Sequence, residues 1–176
     1  MAFILSIETA TPLCSVALSL NNKIIAQRET LEEKSHASML TVYIDEILKE
    51  ANVSVINLDA IAVGKGPGSY TGLRIGISTA KGLCFGSGIP LIAINTLQIL
   101  YQQVMADSLF RTYADALFCP MIDARRMEVF TCLYDQQGNV VDPIAARIID
   151  NITFQQHLSE RTILFFGSGM EKCREV

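Results

Sequence analysis

The sequence predicts an α/β protein made of two successive mixed-sheet units, and three observations carry that prediction. Residues 1–106 read as three strands and then alternating helices and strands, the order of a sheet that begins as a meander. After a polar stretch from Ala106 to Ala114 the three-strand opening begins again. Between Ala60 and Leu91 a short apolar strand feeds a glycine-rich turn that opens a helix studded with small residues. The chain has 176 residues, 50% of them hydrophobic and 18% charged, enough to bury a real core in one or two domains. Its net charge is −4 with the basic residues scattered, so this chain alone is not expected to form a nucleic-acid surface, and an RNA partner would need a second protein.

Each element has a local cause. Phe3 to Glu8, Cys14 to Leu20 and Lys23 to Thr30 alternate as strands, punctuated by Pro12 and by Asn21-Asn22, whose side chains tolerate left-handed backbone. From His36 to Ala51 the apolar set Leu40, Tyr43, Ile44, Ile47, Leu48 and Ala51 follows helical spacing, with Ser35 as N-cap. A strand at Ala60 to Val63 precedes a helix from Gly72 to about Gly86. Pro90 precedes a strand at Leu91 to Ile94, and Asn95 or Thr96 caps a helix to about Met105. This is the order of a ribonuclease-H-like unit. The second half offers strands at Leu117 to Ile122, Glu128 to Asp135 and Val140 to Ile149, a short helix at Phe154 to Leu158 and a strand at Ile163 to Phe166. The expected domains are therefore 1–106 and 107–176, the second an apparently truncated copy of the first. Duplicated units of this kind form actin, Hsp70 and the sugar kinases.

The five cysteines, Cys14, Cys84, Cys119, Cys132 and Cys173, are odd in number, far apart and mostly within apolar runs, as reduced core thiols are. No basic leader precedes the first strand and no apolar stretch reaches membrane-spanning length, so a cytoplasmic location is expected, with no membrane contact.

The turn Gly64-Lys65-Gly66-Pro67-Gly68-Ser69 resembles a phosphate cradle, since free amides and a helix dipole converge there. It lacks the glycine-lysine-serine order of a P-loop, and a tight turn with Ser69 or Thr71 as cap is the plainer reading. Lys65, Gly66, Gly68 and Ser69 stay candidates for ligand contact, as does Glu8 at the end of the first strand, where actin-like kinases place an aspartate. Asp123, Arg125 and Arg126 form a charged turn that can reach a substrate or RNA or simply be solvated, and Gly167-Ser168-Gly169 follows a later strand.

Three motifs carry a specific resemblance that spans essentially the whole chain: Ile7-Glu8-Thr9-Ala10-Thr11, the run from Gly64 to Gly76, and Ile122-Asp123-Ala124-Arg125-Arg126-Met127-Glu128-Val129-Phe130. Together they resemble the TsaB (YeaZ) family, the accessory partner of TsaD in formation of threonylcarbamoyladenosine on tRNA. The resemblance implies a catalytically inactive homologue of TsaD. TsaD-like members carry two histidines at four-residue spacing, where one helix face can present both to a metal. Here those places fall at Thr96 and Leu100, and the only histidines are His36 and His157, so no metal and no catalytic residue is expected.

The helices complete the expectation. Gly72, Gly76 and Ala80 make a thin face that lets another helix approach, with Leu73 and Ile77 beside it. The preceding helix offers Met39, Leu40, Tyr43, Ile44 and Ile47, more apolar positions than one sheet face needs. Some of these must be core. In the TsaB family the same two helices meet TsaD or a second TsaB copy, so these ten residues are the expected interface. The implied role is a scaffold for a TsaD-like catalytic paralogue, with a TsaE-like ATPase, tRNA reached through the complex, ATP or ADP only within it, and a homodimer when alone. The alternative is a metal- or nucleotide-dependent enzyme (transferase, kinase or M22-like peptidase) on the same fold.

Overall fold

A computed structural model describes residues 1–31 and 36–174. Contacts divide the chain into Met1–Asn95 and Thr96–Val176. The division thus falls before the helix at Thr96 and not after residue 106, because that helix packs on strands of the second sheet.

In the first unit β1 (Phe3–Glu8), β2 (Cys14–Leu20) and β3 (Lys23–Thr30) form the meander, followed by α1 (His36–Glu50), β4 (Ala60–Gly64), α2 (Tyr70–Ser87) and β5 (Leu91–Ile94). The sheet order is β3-β2-β1-β4-β5, with β4 parallel to β1 and β5 parallel to β4. Asn21 and Asn22 take φ of 50° and 65°, the left-handed pair that a two-residue hairpin requires. Every residue of β4 is buried, as a continuous apolar run in a parallel strand implies. Leu5, Ile7, Val16, Leu18, Ile61 and Val63 from the strands meet Leu40, Ile44, Ile47 and Leu48 of α1 and Ala80 and Cys84 of α2. The expected cap Ser35 lies outside the described residues. Helix α2 begins two residues before Gly72 and stops at Gly88, whose φ of 71° lets its N–H bond the Cys84 carbonyl at 2.9 Å.

The second unit contains α3 (Thr96–Ala106), β6 (Leu117–Asp123), β7 (Glu128–Tyr134), β8 (Val140–Ile148), α4 (Gln155–Leu158) and β9 (Ile163–Phe166). Its sheet order, β8-β7-β6-β9 with β9 parallel to β6, repeats β3-β2-β1-β4. Both units are therefore ribonuclease-H-like mixed sheets. One face of the second sheet packs Phe118, Ile122, Cys132 and Tyr134 under Leu97 and Tyr101 of α3. The other packs Leu117, Cys119, Met121, Val129 and Leu133 against Phe154 and Ile163. Tyr101 meets Phe118 edge-on at 5.8 Å and donates its hydroxyl to the carbonyls of Asp135 and Gln136. The polar stretch from Ala106 to Ala114 holds a single helical turn, Phe110–Thr112, with Phe110 packed on this core. All five cysteines are free, four of them buried. Among the described residues no helix is long and apolar enough to cross a membrane.

Candidate functional site

Strands β1 and β4 end side by side at the switch point of the first sheet, where the chain leaves β1 toward β2 and β4 toward β5. Parallel sheets hold ligands at such points. Here the chain's own backbone fills it. Glu8 ends β1 and accepts the Ala10 N–H at 2.7 Å through Oε1, while Oε2 is buried without a partner. Burial pushes its carboxyl above the ordinary value, against the pull of the Ala10 and Thr9 amides. The carboxyl lies where a β-carbon on Gly64 would sit. Thr9 Oγ1 donates to the Gly72 carbonyl at 2.8 Å, fully buried. The Ser69 N–H donates to Ala10 O at 2.7 Å, and the Ser69 hydroxyl accepts from Gly72 N at 3.2 Å as the cap of α2. Lys65, with an exposed side chain, ties its amide to Ile94 O at 2.8 Å, and His36 Nε2 donates to Thr11 O at 3.0 Å.

This geometry revises the expected interface. A β-carbon at Gly68 would overlap the Ala10 carbonyl, one at Gly72 the Thr9 carbonyl, and one at Gly76 the Thr9 hydroxyl. The thin face of Gly72, Gly76 and Ala80 thus receives the turn after β1 and is not open to another protein. Leu40, Ile44 and Ile47 are likewise interior, at 1%, 5% and 0% exposure, because α1 needs them to cover β2 and β3. Met39, Tyr43, Leu73 and Ile77 remain half-buried. What α2 does expose lies on its opposite side. Phe85 is 93% exposed and Tyr70 is 74% exposed, with the Arg74 guanidinium 5.5 Å above its ring. Gly82 and Gly86 have no atom within 4 Å of an added β-carbon. On α1, Val42 is 43% exposed. The sequence held this signal: Phe85 lies nine residues beyond Gly76, half a revolution away on a helix of about 3.6 residues per turn.

In the second unit Asp123 ends β6 as Glu8 ends β1. Its Oδ1 accepts the Arg125 N–H at 2.7 Å and the Lys172 ammonium at 2.6 Å, which holds its pKa below the usual carboxylate value. Lys172 also donates to the carbonyls of Arg126 at 2.9 Å and Glu128 at 2.6 Å. Nothing in the sequence marked Lys172. Ser168 accepts the Asp123 N–H, and the Gly169 N–H donates to Met121 O, so the Gly167-Ser168-Gly169 loop is packed on the end of β6. Thr96 and Leu100, which stand where TsaD-like proteins would carry histidines, start α3: Thr96 is buried and Leu100 packs on the second core. His36 and His157 fall in different units. Among the described residues no group of three or more His, Cys, Asp or Glu comes together in a way that could hold a metal.

Comparison with known proteins agrees with this architecture. Residues 20–163 match the family described as TsaD, tRNA N6-adenosine threonylcarbamoyltransferase. The chain is 37% identical over 136 residues to the tRNA threonylcarbamoyladenosine biosynthesis protein TsaB of Escherichia coli, covering 77% of this chain and 56% of that protein. It is 30% identical over 169 residues to TsaB of Bacillus subtilis, covering 93% of this chain and 70% of that one. The chain thus spans little more than half the length of the Escherichia coli relative. YeaZ from Pseudomonas aeruginosa superposes with a TM-score of 0.74 at 28% identity, over 96% of this chain and 85% of that one. Motifs, duplicated sheet order and these matches converge, and the chain belongs to the TsaB (YeaZ) family.

Proposed function

We propose that this chain is a non-catalytic accessory subunit in the formation of N6-threonylcarbamoyladenosine at position 37 of tRNAs that read codons beginning with A. It docks a TsaD-like catalytic paralogue through the outward side of α2 and the adjoining part of α1. The observation that carries the reading is the outer side of α2, where an almost fully exposed Phe85 lies beside the open positions Gly82 and Gly86. An aromatic anchor next to positions without side chains lets a partner helix come close and bury the ring. Tyr70, Val42 and the half-buried Met39, Tyr43, Leu73 and Ile77 extend the apolar surface. The kinship with TsaB proteins supports the pathway, and the match to the TsaD family supports a homologous partner.

The chemistry then belongs to the partner. A TsaE-like ATPase and tRNA join the assembly in the cytoplasm, ATP or ADP binds only within it, and the chain alone pairs with a second copy through the same side of α2. Co-purification with the TsaD-like protein tests this. Phe85→Ala and Gly82→Arg should each abolish the complex while the circular dichroism spectrum is kept. A complex that survives both substitutions rejects this docking surface. Stoichiometric ATP or metal binding by the isolated chain in calorimetry would instead favour an enzyme.

A further inference from the structure

We propose that the turn between β6 and β7 is a contact for the phosphodiester backbone of RNA, made by the guanidinium groups of Arg125 and Arg126. The inference deepens the proposed function by giving this chain its own contact with the RNA substrate. It starts from the backbone. Arg125 and Arg126 hold φ of 72° and 48° in succession, left-handed conformations that glycine or asparagine adopts at least cost. Elsewhere the chain places asparagine in such conformations at Asn21, Asn22 and Asn52, and the one other side chain held there among the described residues, Phe154, is fixed by packing in the core. Two consecutive arginines there are not what folding favours, and strained backbone of this kind accumulates at functional sites.

The side chains are also unspent. Arg28 is hydrogen-bonded to Glu46 and Glu50, Arg111 to Met105 O and Arg147 to Asp142. Among the described residues, the guanidinium groups of Arg125 and Arg126 have no hydrogen bond, ion pair or ring contact, and both residues are exposed. The acid beside them is already engaged, since Asp123 is held by Lys172 and by the Arg125 amide. The Glu128 side chain and Glu171 are the other acids on these segments, and Glu171 faces Arg174 at 3.8 Å. The turn is also tied across its base: the Lys172 ammonium bridges Asp123, Arg126 O and Glu128 O, on both strands of the hairpin. Two guanidinium forks on neighbouring residues of an exposed, hydrogen-bonded turn suit the bidentate recognition of phosphate oxygens. Asp123, Arg125, Arg126 and Met127 are all exposed, so both guanidinium groups are open to an extended polyanion. With a net charge of −4 the chain gives no general attraction for RNA, so a contact of its own has to be local.

The test measures binding of an unmodified tRNA transcript by fluorescence anisotropy over a series of KCl concentrations, with the full chain alone and with its TsaD-like partner. Arg125→Gln with Arg126→Gln should weaken binding about tenfold or more, and should flatten the log–log salt dependence by roughly 1.4–1.8, two phosphate contacts' worth. Arg161→Gln, which removes an exposed arginine elsewhere in the same unit, should leave both unchanged. Arg125→Gly with Arg126→Gly relieves the backbone and should lose the same RNA affinity while melting at or above the wild-type temperature, so misfolding cannot mimic the result. Millimolar ATP should not displace the tRNA. The inference is overturned if no tRNA binds to the wild type in either state, if the double glutamine variant keeps affinity and slope, if Arg161→Gln loses as much, or if ATP competes. The partner complex should form normally with every one of these variants, so loss of RNA contact and loss of the docking surface are read separately.

Discussion

Replacing Gly76 with alanine separates two uses of the small residues on α2. Alanine in a helix interior is favoured over glycine by about 0.5–1 kcal/mol. At Gly76 the new β-carbon overlaps the Thr9 hydroxyl, well inside the 3.0 Å that real β-carbons essentially never cross. At Gly82 it meets nothing within 4 Å. The propensity gain is common to both, so the difference between Gly76→Ala and Gly82→Ala is the cost of overpacking, about 1–3 kcal/mol. For a chain of this size that is about 2–4 °C in melting temperature per kcal/mol. The chain has no tryptophan, so helical circular dichroism followed through urea and thermal unfolding is the natural readout. Gly82→Ala should be the more stable, above wild type by roughly 0.5–1 kcal/mol. A second layer locates the clash. Thr9→Ala removes the hydroxyl that obstructs Gly76 but not the carbonyl that obstructs Gly72. It should therefore recover part of the loss in Gly76→Ala and none of the loss in Gly72→Ala. Equal stability of Gly76→Ala and Gly82→Ala would refute the reasoning, because the thin face would then be open.

Three further outcomes are expected. Glu8, raised by burial above its ordinary 4.5, adds stability fully present below that value and lost as pH climbs through its folded pKa. The urea midpoint of Glu8→Gln should thus gain on wild type as pH rises above 4.5, and the reverse trend would contradict the burial. Ser69→Ala removes the α2 cap bond and should cost about 1 kcal/mol in the same unfolding assay. Lys172→Met strips three hydrogen bonds from the β6–β7 hairpin. With Lys172 20% and Asp123 51% exposed, solvent screening limits the loss to roughly 1–2 kcal/mol. Asp123 stabilises above its unfolded pKa of 3.8 and loses that contribution as pH falls through the lowered value, so its NMR titration should move upward in the variant.

The strands were legible because they declare themselves by period: Phe3 to Glu8, Cys14 to Leu20, Lys23 to Thr30 and Ile163 to Phe166 occupy the residues that alternation marks. The two asparagines at 21 and 22 fix the hairpin for the same local reason. The small residues of α2 were legible only as a thin face. What fills that face is Thr9, 63 residues from Gly72, and no local pattern encodes a contact at that separation. Apolar positions on α1 carried the same ambiguity, since Leu40 and Tyr43 look equally suited to a core or a partner until the sheet covers one and leaves the other half-open. Lys172 was invisible because its three acceptors are a side chain and two carbonyls that only folding brings together.

The duplication makes the ends of β1 and β6 equivalent, and the two units treat the carboxylate there in opposite ways. Glu8 is half-buried, with its carboxyl against Gly64 and Oε2 enclosed and unpartnered, beside a turn whose Thr9 and Ala10 are bonded to α2 and its approach. Asp123 is exposed and neutralised by Lys172. In the first unit the turn after β1 packs its backbone on the start of α2, and in the second an ammonium from the chain itself pairs with the acid. Asp123, already paired by its own chain, gains little from a ligand, because binding must first break those bonds. That fits the accessory role proposed above. It also bears on the arginines. The lysine that occupies Asp123 frees Arg125 and Arg126 from pairing with it, so the device that closes one site on this turn leaves two cations available on its outer edge.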